Sequence, residues 1–375
     1  MVQYLKHKAL GVKLYNRAKT KRGGEILKKK VLITGSSGVL GKNLVKYLYE
    51  NYEKEYELIL FDIVHDKETQ AKFKAYMGDI REIRDVEKII KGIDIVVHCA
   101  AASPSYKDEE IYDININGTT NLLKCSFNIG QVERFVYISS TSVYGVPEKA
   151  PIYENDEVKP YDAYNKGKIE AERICQEWRS KGKCISILRP RSFIGPQRLG
   201  TFGILYEWAS EGRNFPMLGS GNNKYQLLDV EDLCQAIYLA MSVDSERAND
   251  LFNIGAKEFS TIKADYQAVL DAAGYKKRII SFPAVPMLIL LSLLEKLKLS
   301  PFYKRLYMKL NRNYYVSIDK AERKLGYKPR HSNQDALVRN YYWYLENKRK
   351  SDTKAGASNN AVWNQGILKY AKIFF

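Results

Sequence analysis

The chain has 375 residues, 45% hydrophobic and 27% charged, the balance of a folded globular protein with a full core. No apolar run approaches the roughly 20 residues that span a bilayer, and the nearest, 282–294, is interrupted by Pro283 and Pro286. A formal charge of +17 suggests nucleic acid or an anionic membrane, yet residues 1–30 hold ten Lys/Arg against the single Glu25 and so supply +9 of it.

The charge therefore reads as a basic leader, 1–29, attached to a less unbalanced body. The leader lacks the apolar centre of a secretory signal. Nucleic-acid binding is disfavoured, while peripheral membrane contact through the leader or the C-terminal region stays open. Five cysteines (Cys99, Cys125, Cys175, Cys184, Cys234) are scattered and odd in number, without C-x-x-C or metal-ligand spacing. They predict a reducing, cytoplasmic setting with neither a disulfide framework nor a metal site.

Along the body, short apolar runs alternate with amphipathic stretches. Residues 31–33, 58–61, 93–98, 134–138 and 184–188 read as strands. Residues 40–49, 86–91, 118–127 and 161–179 read as helices between them. Strict alternation predicts an α/β fold: a doubly wound parallel sheet with helices on both faces. Past residue 190 the pattern loosens into helical stretches at 202–210, 230–241, 261–273 and 336–348, which predict a smaller, mostly helical lobe. The expected divisions are 30–190 for the sheet domain and 191–350 for the lobe, with strands returning to the sheet. Residues 351–375 form a polar linker and an aromatic, amphipathic tail.

Gly35-Ser36-Ser37-Gly38-Val39-Leu40-Gly41 follows the first strand and opens a helix. Glycines at this spacing allow a tight turn, close approach of backbone to a pyrophosphate and close helix–strand packing, with the helix N-terminus facing the negative charge. Asp62 ends the second strand, twenty-one residues past Gly41, where a carboxylate binds both ribose hydroxyls of a dinucleotide. It would repel a 2′-phosphate, which favours NAD over NADP. Asp79-Ile80 is placed to cap the adenine edge. Tyr164 and Lys168 stand four residues apart on a predicted helix, so an ammonium lies near a phenol and lowers its pKa from about 10 toward an acid/base range.

Together these segments resemble the extended short-chain dehydrogenase/reductases, the NAD-dependent epimerase/dehydratase group, in order from about 31 to 240. Thr34 to Gly41 carries T-G-x-x-G-x-x-G. His98-Cys99-Ala100-Ala101-Ala102 is the small-residue strand end on which cofactor lies. Asn115-Ile116-Asn117-Gly118-Thr119 matches N-V-x-G-T, with Asn115 supporting cofactor. Ser139-Ser140-Thr141-Ser142-Val143-Tyr144-Gly145 matches S-S-x-x-V-Y-G, Tyr164 to Lys168 matches Y-x-x-x-K, and Arg189 to Pro196 resembles R-x-x-x-x-x-G-P. The resemblance implies a Rossmann-type domain binding NAD through Gly35, Ser37, Gly38, Val39, Leu40, Gly41, Asp62, Asp79, Ile80, Ala100, Ala101, Asn115, Tyr164 and Lys168. It implies Tyr164 as general acid/base, Lys168 on the nicotinamide ribose, and Ser140 bonding the reacting oxygen. It also implies a homodimer.

Departures from the pattern narrow the chemistry. Dehydratases of the group carry an Asp-Glu pair where Thr141 and Ser142 stand, and decarboxylating relatives keep Glu at the Ser142 position. What remains is epimerisation through a transient ketone, or simple dehydrogenation or reduction. Many relatives have Asn at the Ser192 position and a diphosphate-clamping Arg where Tyr225 stands, with Lys224 or Arg191 as substitutes. A carbohydrate, nucleotide-linked, leads as substrate. The alternative is a hydrophobic alcohol, as in 3β-hydroxysteroid-dehydrogenase-like enzymes, with the apolar stretch 286–299 as a pocket wall.

Overall fold

The computed structural model describes residues 19–20, 26–146, 148–283, 312–351 and 372. The apolar stretch 286–299 and nearly all of the basic leader and of the tail lie outside the described residues. Among the described residues no helix is long and apolar enough to cross a membrane.

Seven parallel strands form the central sheet. In chain order they are β1 Lys29–Thr34, β2 Tyr56–Asp62, β3 Lys74–Met77, β4 Ile95–His98, β5 Arg134–Ile138, β6 Ile185–Pro190 and, later, β10 Leu251–Ile254. Their spatial order is β10-β6-β5-β4-β1-β2-β3. Val31 pairs with Leu58 on one side and Ile95 on the other, fixing the middle of the sheet. The inner strands are rich in Val, Ile, Leu and Phe because both faces are covered, whereas the edge strand β3, Lys74-Ala75-Tyr76-Met77, is largely exposed.

Val31 and Ile33 point to one face, Leu32 to the other, as the two-residue period requires. The first face is covered by α1 Val39–Tyr52 and α8 Val230–Ser242, the second by α3 Ile83–Ile90, α5 Thr119–Asn128 and α6 Ala163–Ser180. Short helices α2 Lys67–Lys72 and α4 Asp108–Tyr112 complete the crossovers.

The smaller lobe has its own core, in which α7 Phe202–Ser210, α10 Ile262–Ala272 and α12 Asn333–Ser351 bury Leu205, Tyr206, Val269, Leu270, Leu337 and Tyr341. It also contains two short parallel strand pairs: β7 Phe193–Ile194 with β9 Leu228–Asp229, and β8 Phe215–Leu218 with β11 Ile279–Phe282. The strand β10 returns from this region to the edge of the central sheet beside β6. Of the tail, Lys372 pairs with Glu207 and with Glu211 (3.1 Å) on or beside α7.

Candidate active site

The turn after β1 has no room for a side chain at Gly35 or Gly41. Gly35 has φ +68°, and a Cβ there would lie 2.5 Å from the backbone nitrogen of Ala100. A Cβ on Gly41 would sit 2.2 Å from the Gly35 carbonyl oxygen. The turn is thus pressed between the end of β4 and its own helix. Gly38 caps α1 without a side-chain hydrogen bond, and the first turn holds no acid. The N–H groups of Val39 and Leu40 stand at a positive helix end suited to an anion. Asn43, one turn further, donates from Nδ2 to the carbonyls of Val39 (2.8 Å) and of Pro196 in the lobe (3.1 Å).

Asp62 ties the turn to β2. Its Oδ2 accepts from the Ser37 N–H and its Oδ1 from the Ile63 N–H, both at 2.8 Å. The Ser37 hydroxyl donates to the Val64 carbonyl and lies 3.0 Å from His65 Nδ1. Asp79 is engaged by the Arg81 guanidinium (2.6 and 2.9 Å), which holds its carboxyl below the usual range. Ile80 is buried against Gly118, where a Cβ would meet its Cδ1 at 2.6 Å.

Past β4, Ala100 and Ala101 present backbone at the sheet's C-terminal edge, and the Ala102 N–H donates to Asn115 Oδ1 at 2.9 Å. Asn115 sits in a π-helical segment, Asp113–Gly118, whose wider turn separates it from its neighbours' spacing. Its Nδ2 is buried without a partner. Gly167 of α6 packs against it, leaving 3.3 Å between a hypothetical Cβ and that of Asn115. His98 bridges Thr34 (2.7 Å) and Thr119 (3.0 Å), and burial pushes its imidazole down to about 3, so it is neutral.

The helix α6 opens at Asp162, whose carboxylate accepts from the Asn165 N–H at 2.7 Å. This start sets Tyr164 half-buried against Ala102, Ile111 and Ala163, beside the strand end just described. One turn on, Lys168 is 3% exposed. Its Nζ donates to the Ile138 carbonyl at 2.8 Å and lies 4.9 Å from the centre of the Tyr137 ring. Burial pulls the ammonium down to about 8, opposed by the negative charge of Glu172. Ser140 begins the 3₁₀ turn Thr141–Tyr144 after β5. Its Oγ accepts from the Ser142 N–H at 3.1 Å, which leaves the hydroxyl proton to be donated elsewhere. The Ser142 Oγ is buried without a partner.

Behind this set lies a charged core that the sequence reading did not identify. Glu172 and Arg189 form an ion pair at 2.6 Å with side chains 4% and 5% exposed. Glu172 also accepts from the Ser139 hydroxyl, and Arg189 reaches the Tyr144 hydroxyl (2.7 Å), which donates to Asn253 of β10 (2.8 Å). The available signal was spacing: Tyr164, Lys168 and Glu172 recur every four residues and share a helix face.

The other candidates fall on the lobe side. Arg191 is buried and gives its donors to the Gln226 (2.9 Å) and Tyr314 (3.0 Å) carbonyls and the Thr141 hydroxyl (3.4 Å), under the rings of Tyr314 and Tyr225. That geometry makes it a brace of the wall. Ser192 is exposed, as is Lys224, whose backbone pairs with Asn313 and Tyr314. Tyr225 is half-buried, edge-on to Tyr314. Arg198, missed in the sequence, approaches from the loop after β7 with its guanidinium carbon 4.1 Å from the Phe193 ring centre.

A cavity of about 1130 Å³ between α1, α8 and α12 is lined by Tyr47, Asp229, Arg339 and Trp343 and contains none of Ser140, Tyr164 and Lys168. Its wall includes Asp229 and Glu231, which converge with His331, and Arg339 pairs with Asp229 (3.0 Å) and Glu231 (2.7 Å), supplying positive charge there. Volume and chemistry are therefore in different places, and the convergent polar groups mark the site.

Residues 31–255 match the NAD dependent epimerase/dehydratase family. The chain belongs to that family. It is accordingly an NAD-dependent enzyme. An uncharacterized protein of Sinorhizobium fredii is 33% identical over 342 residues, 91% of this chain and 85% of the relative. The mouse sterol-4-alpha-carboxylate 3-dehydrogenase, decarboxylating, is 28% identical and covers 83% and 90%. A UDP-glucose 4-epimerase of Lactobacillus helveticus is 30% identical over 60% of this chain and 76% of its own. Among solved structures, an epimerase of Methanothermobacter thermautotrophicus superposes with a TM-score of 0.71 at 24% identity, over 88% of this chain and 95% of that one. The epimerase/dehydratase fold is thus shared across the central sheet and the lobe.

Proposed function

We propose that this family member oxidises and re-reduces a carbinol of a carbohydrate, nucleotide-linked, acting as an epimerase, with Tyr164 as the acid/base. The observation that carries this reading is the burial of Lys168 one turn below Tyr164. A cation pinned at 2.8 Å to the Ile138 carbonyl favours the phenolate of a neighbouring tyrosine. The similarity to UDP-glucose 4-epimerases supports the substrate class.

The cradle fits NAD on the chain's own features. The glycine turn has no room for a Cβ at Gly35 or Gly41, the α1 N-terminus lacks a capping side chain, and Asn115 Nδ2 is buried unpartnered beside the strand end. Gly35, Ser37, Gly38, Val39, Leu40 and Gly41 would hold the pyrophosphate. Asp62 would take the ribose, Asp79 and Ile80 the adenine edge, Ala100, Ala101 and Asn115 the nicotinamide half, and Lys168 its ribose. When bound, NAD supplies the hydride acceptor and donor. Tyr164 takes the proton of the substrate hydroxyl and returns it, while the Ser140 hydroxyl donates to the same oxygen. Thr141 and Ser142 bring no carboxyl for elimination, so the ketone is reduced rather than dehydrated.

A second reading follows from the sterol dehydrogenase, which matches over 83% of this chain: net oxidation of a hydrophobic alcohol. Incubation with NAD and UDP-glucose, read by product NMR and by absorbance at the NADH band, separates the two. UDP-galactose without NADH accumulation supports epimerisation. NADH accumulation with a sterol alcohol, and none of the sugar product, overturns it. Pairing of two copies through α6 is part of the same reading and is read by sedimentation.

A further inference from the structure

Two successive residues at the end of β5 hold the helix that carries Tyr164. Lys168 Nζ donates to the Ile138 carbonyl at 2.8 Å, and the next residue, Ser139, donates its hydroxyl to Glu172. Lys168 and Glu172 stand four apart on α6, so they share a face, and both are 3% exposed. The helix is thus fastened at two neighbouring points to the segment that runs on into Ser140.

Among the described residues Glu172 makes no bond to the ammonium. Its oxygens are taken by Ser139 and by Nε and Nη2 of Arg189 (2.9 and 2.6 Å), while Nη1 of Arg189 goes to the Tyr144 hydroxyl on the β10 side at 2.7 Å. The other titratable groups around Lys168 bring no negative charge. Burial holds the Cys99 thiol at about 12 and pushes the Cys175 thiol and the Tyr137 phenol well up, and His98 is neutral. Glu172 is therefore the anion that opposes the desolvation of Lys168. One turn in the other direction stands Tyr164, the group that the ammonium serves.

We propose that Glu172 is a positioning residue for the reaction: it keeps Lys168 an ammonium and locks the strand end carrying Ser140 to the helix carrying Tyr164. The proposal rests on Tyr164 as the acid/base and adds the source of the charge behind it. Because the carboxylate acts through the buried interior and not through a bond, Lys168 keeps its remaining donors for a ligand. The two duties are separable. An amide at 172 still accepts from the Ser139 hydroxyl but carries no charge.

The test is a thermodynamic cycle on the full chain, by urea unfolding as pH rises. Wild type and Lys168→Met are compared, each alone and each with Glu172→Gln and Arg189→Met together, so that no buried guanidinium is left unmatched. In wild type the gap made by Lys168→Met should start to close at about pH 8. Without the Glu172–Arg189 pair it should start to close about one pH unit lower. The alkaline limb of kcat/KM for UDP-glucose should move down by about the same amount in Glu172→Gln and in the double variant. It should stay in place in Arg189→Met, and Glu172→Asp should restore part of it. The same onset in both backgrounds, an unmoved limb in Glu172→Gln, or an equal movement in Arg189→Met overturns the proposal. A lowered onset in a chain that does not turn over UDP-glucose supports the hold of Glu172 on Lys168 and overturns the epimerase reading instead.

Discussion

The ammonium of Lys168 is held 2.8 Å from the carbonyl of Ile138, at the end of the strand that leads to Ser140. Burial lowers its pKa from the ordinary 10.5 to about 8. The unfolded chain keeps that proton up to about 10.5, so between these values the unfolded state binds more protons and stability rises with pH. Below about pH 8 the full penalty is present, on the order of 3 kcal/mol. Lys168→Met should therefore be inactive yet more stable than wild type at pH 7, by about 1–3 kcal/mol. Urea unfolding should show that gap closing as pH rises from 8 to 10.5. A gap independent of pH would mean that Lys168 is not the titrating group.

Tyr164→Phe keeps the ring against Ala102 and Ile111 and removes only the hydroxyl. Turnover should fall by about 10²–10⁴, with NAD affinity, read by fluorescence titration, unchanged within about twofold. Retention of full turnover would end the acid/base assignment.

Gly35→Ala places a methyl 2.5 Å from the Ala100 nitrogen at a left-handed φ. Stability should drop by more than about 2 kcal/mol, and NAD binding should weaken at least about tenfold. Thermal unfolding with and without NAD measures both, and the NAD-dependent rise in Tm seen in wild type should shrink.

Glu172→Gln leaves the Arg189 guanidinium buried without its counter-charge. Breaking one side of such a pair costs about 3–5 kcal/mol. The double variant Glu172→Gln with Arg189→Met should recover a good part of that in chemical denaturation. Additive losses would show that the two side chains act independently.

Most of the sheet was legible because the central strands are built on short apolar runs, as at 31–33 and 135–138. The two edge strands, Lys74–Met77 and Leu251–Ile254, were not, since Lys74-Ala75 makes a weak start to the one and Asn253 interrupts the apolar pattern of the other. In the fold that amide is buried because the Tyr144 hydroxyl needs an acceptor. The positions of the glycine turn, Ser140, Tyr164 and Lys168 were readable from motif order. Glu172 was hidden among Glu170 and Glu177 on the same helix, where sequence alone does not say which acid turns inward. Arg198 was hidden for a different reason. Sixty basic residues dilute any one of them, and only the fold brings its guanidinium over the Phe193 ring. Conversely, Arg191 looked like a ligand-facing cation, but its donors are consumed by carbonyls brought from two distant segments.

Asn43 stitches the opening turn of α1 to the Pro196 carbonyl, two residues from Arg198. Whatever settles against that helix end also steadies the loop carrying the guanidinium. Cutting that one stitch, as in Asn43→Ala, should therefore free the Gly195–Arg198 turn from the start of α1 and show as faster amide exchange there.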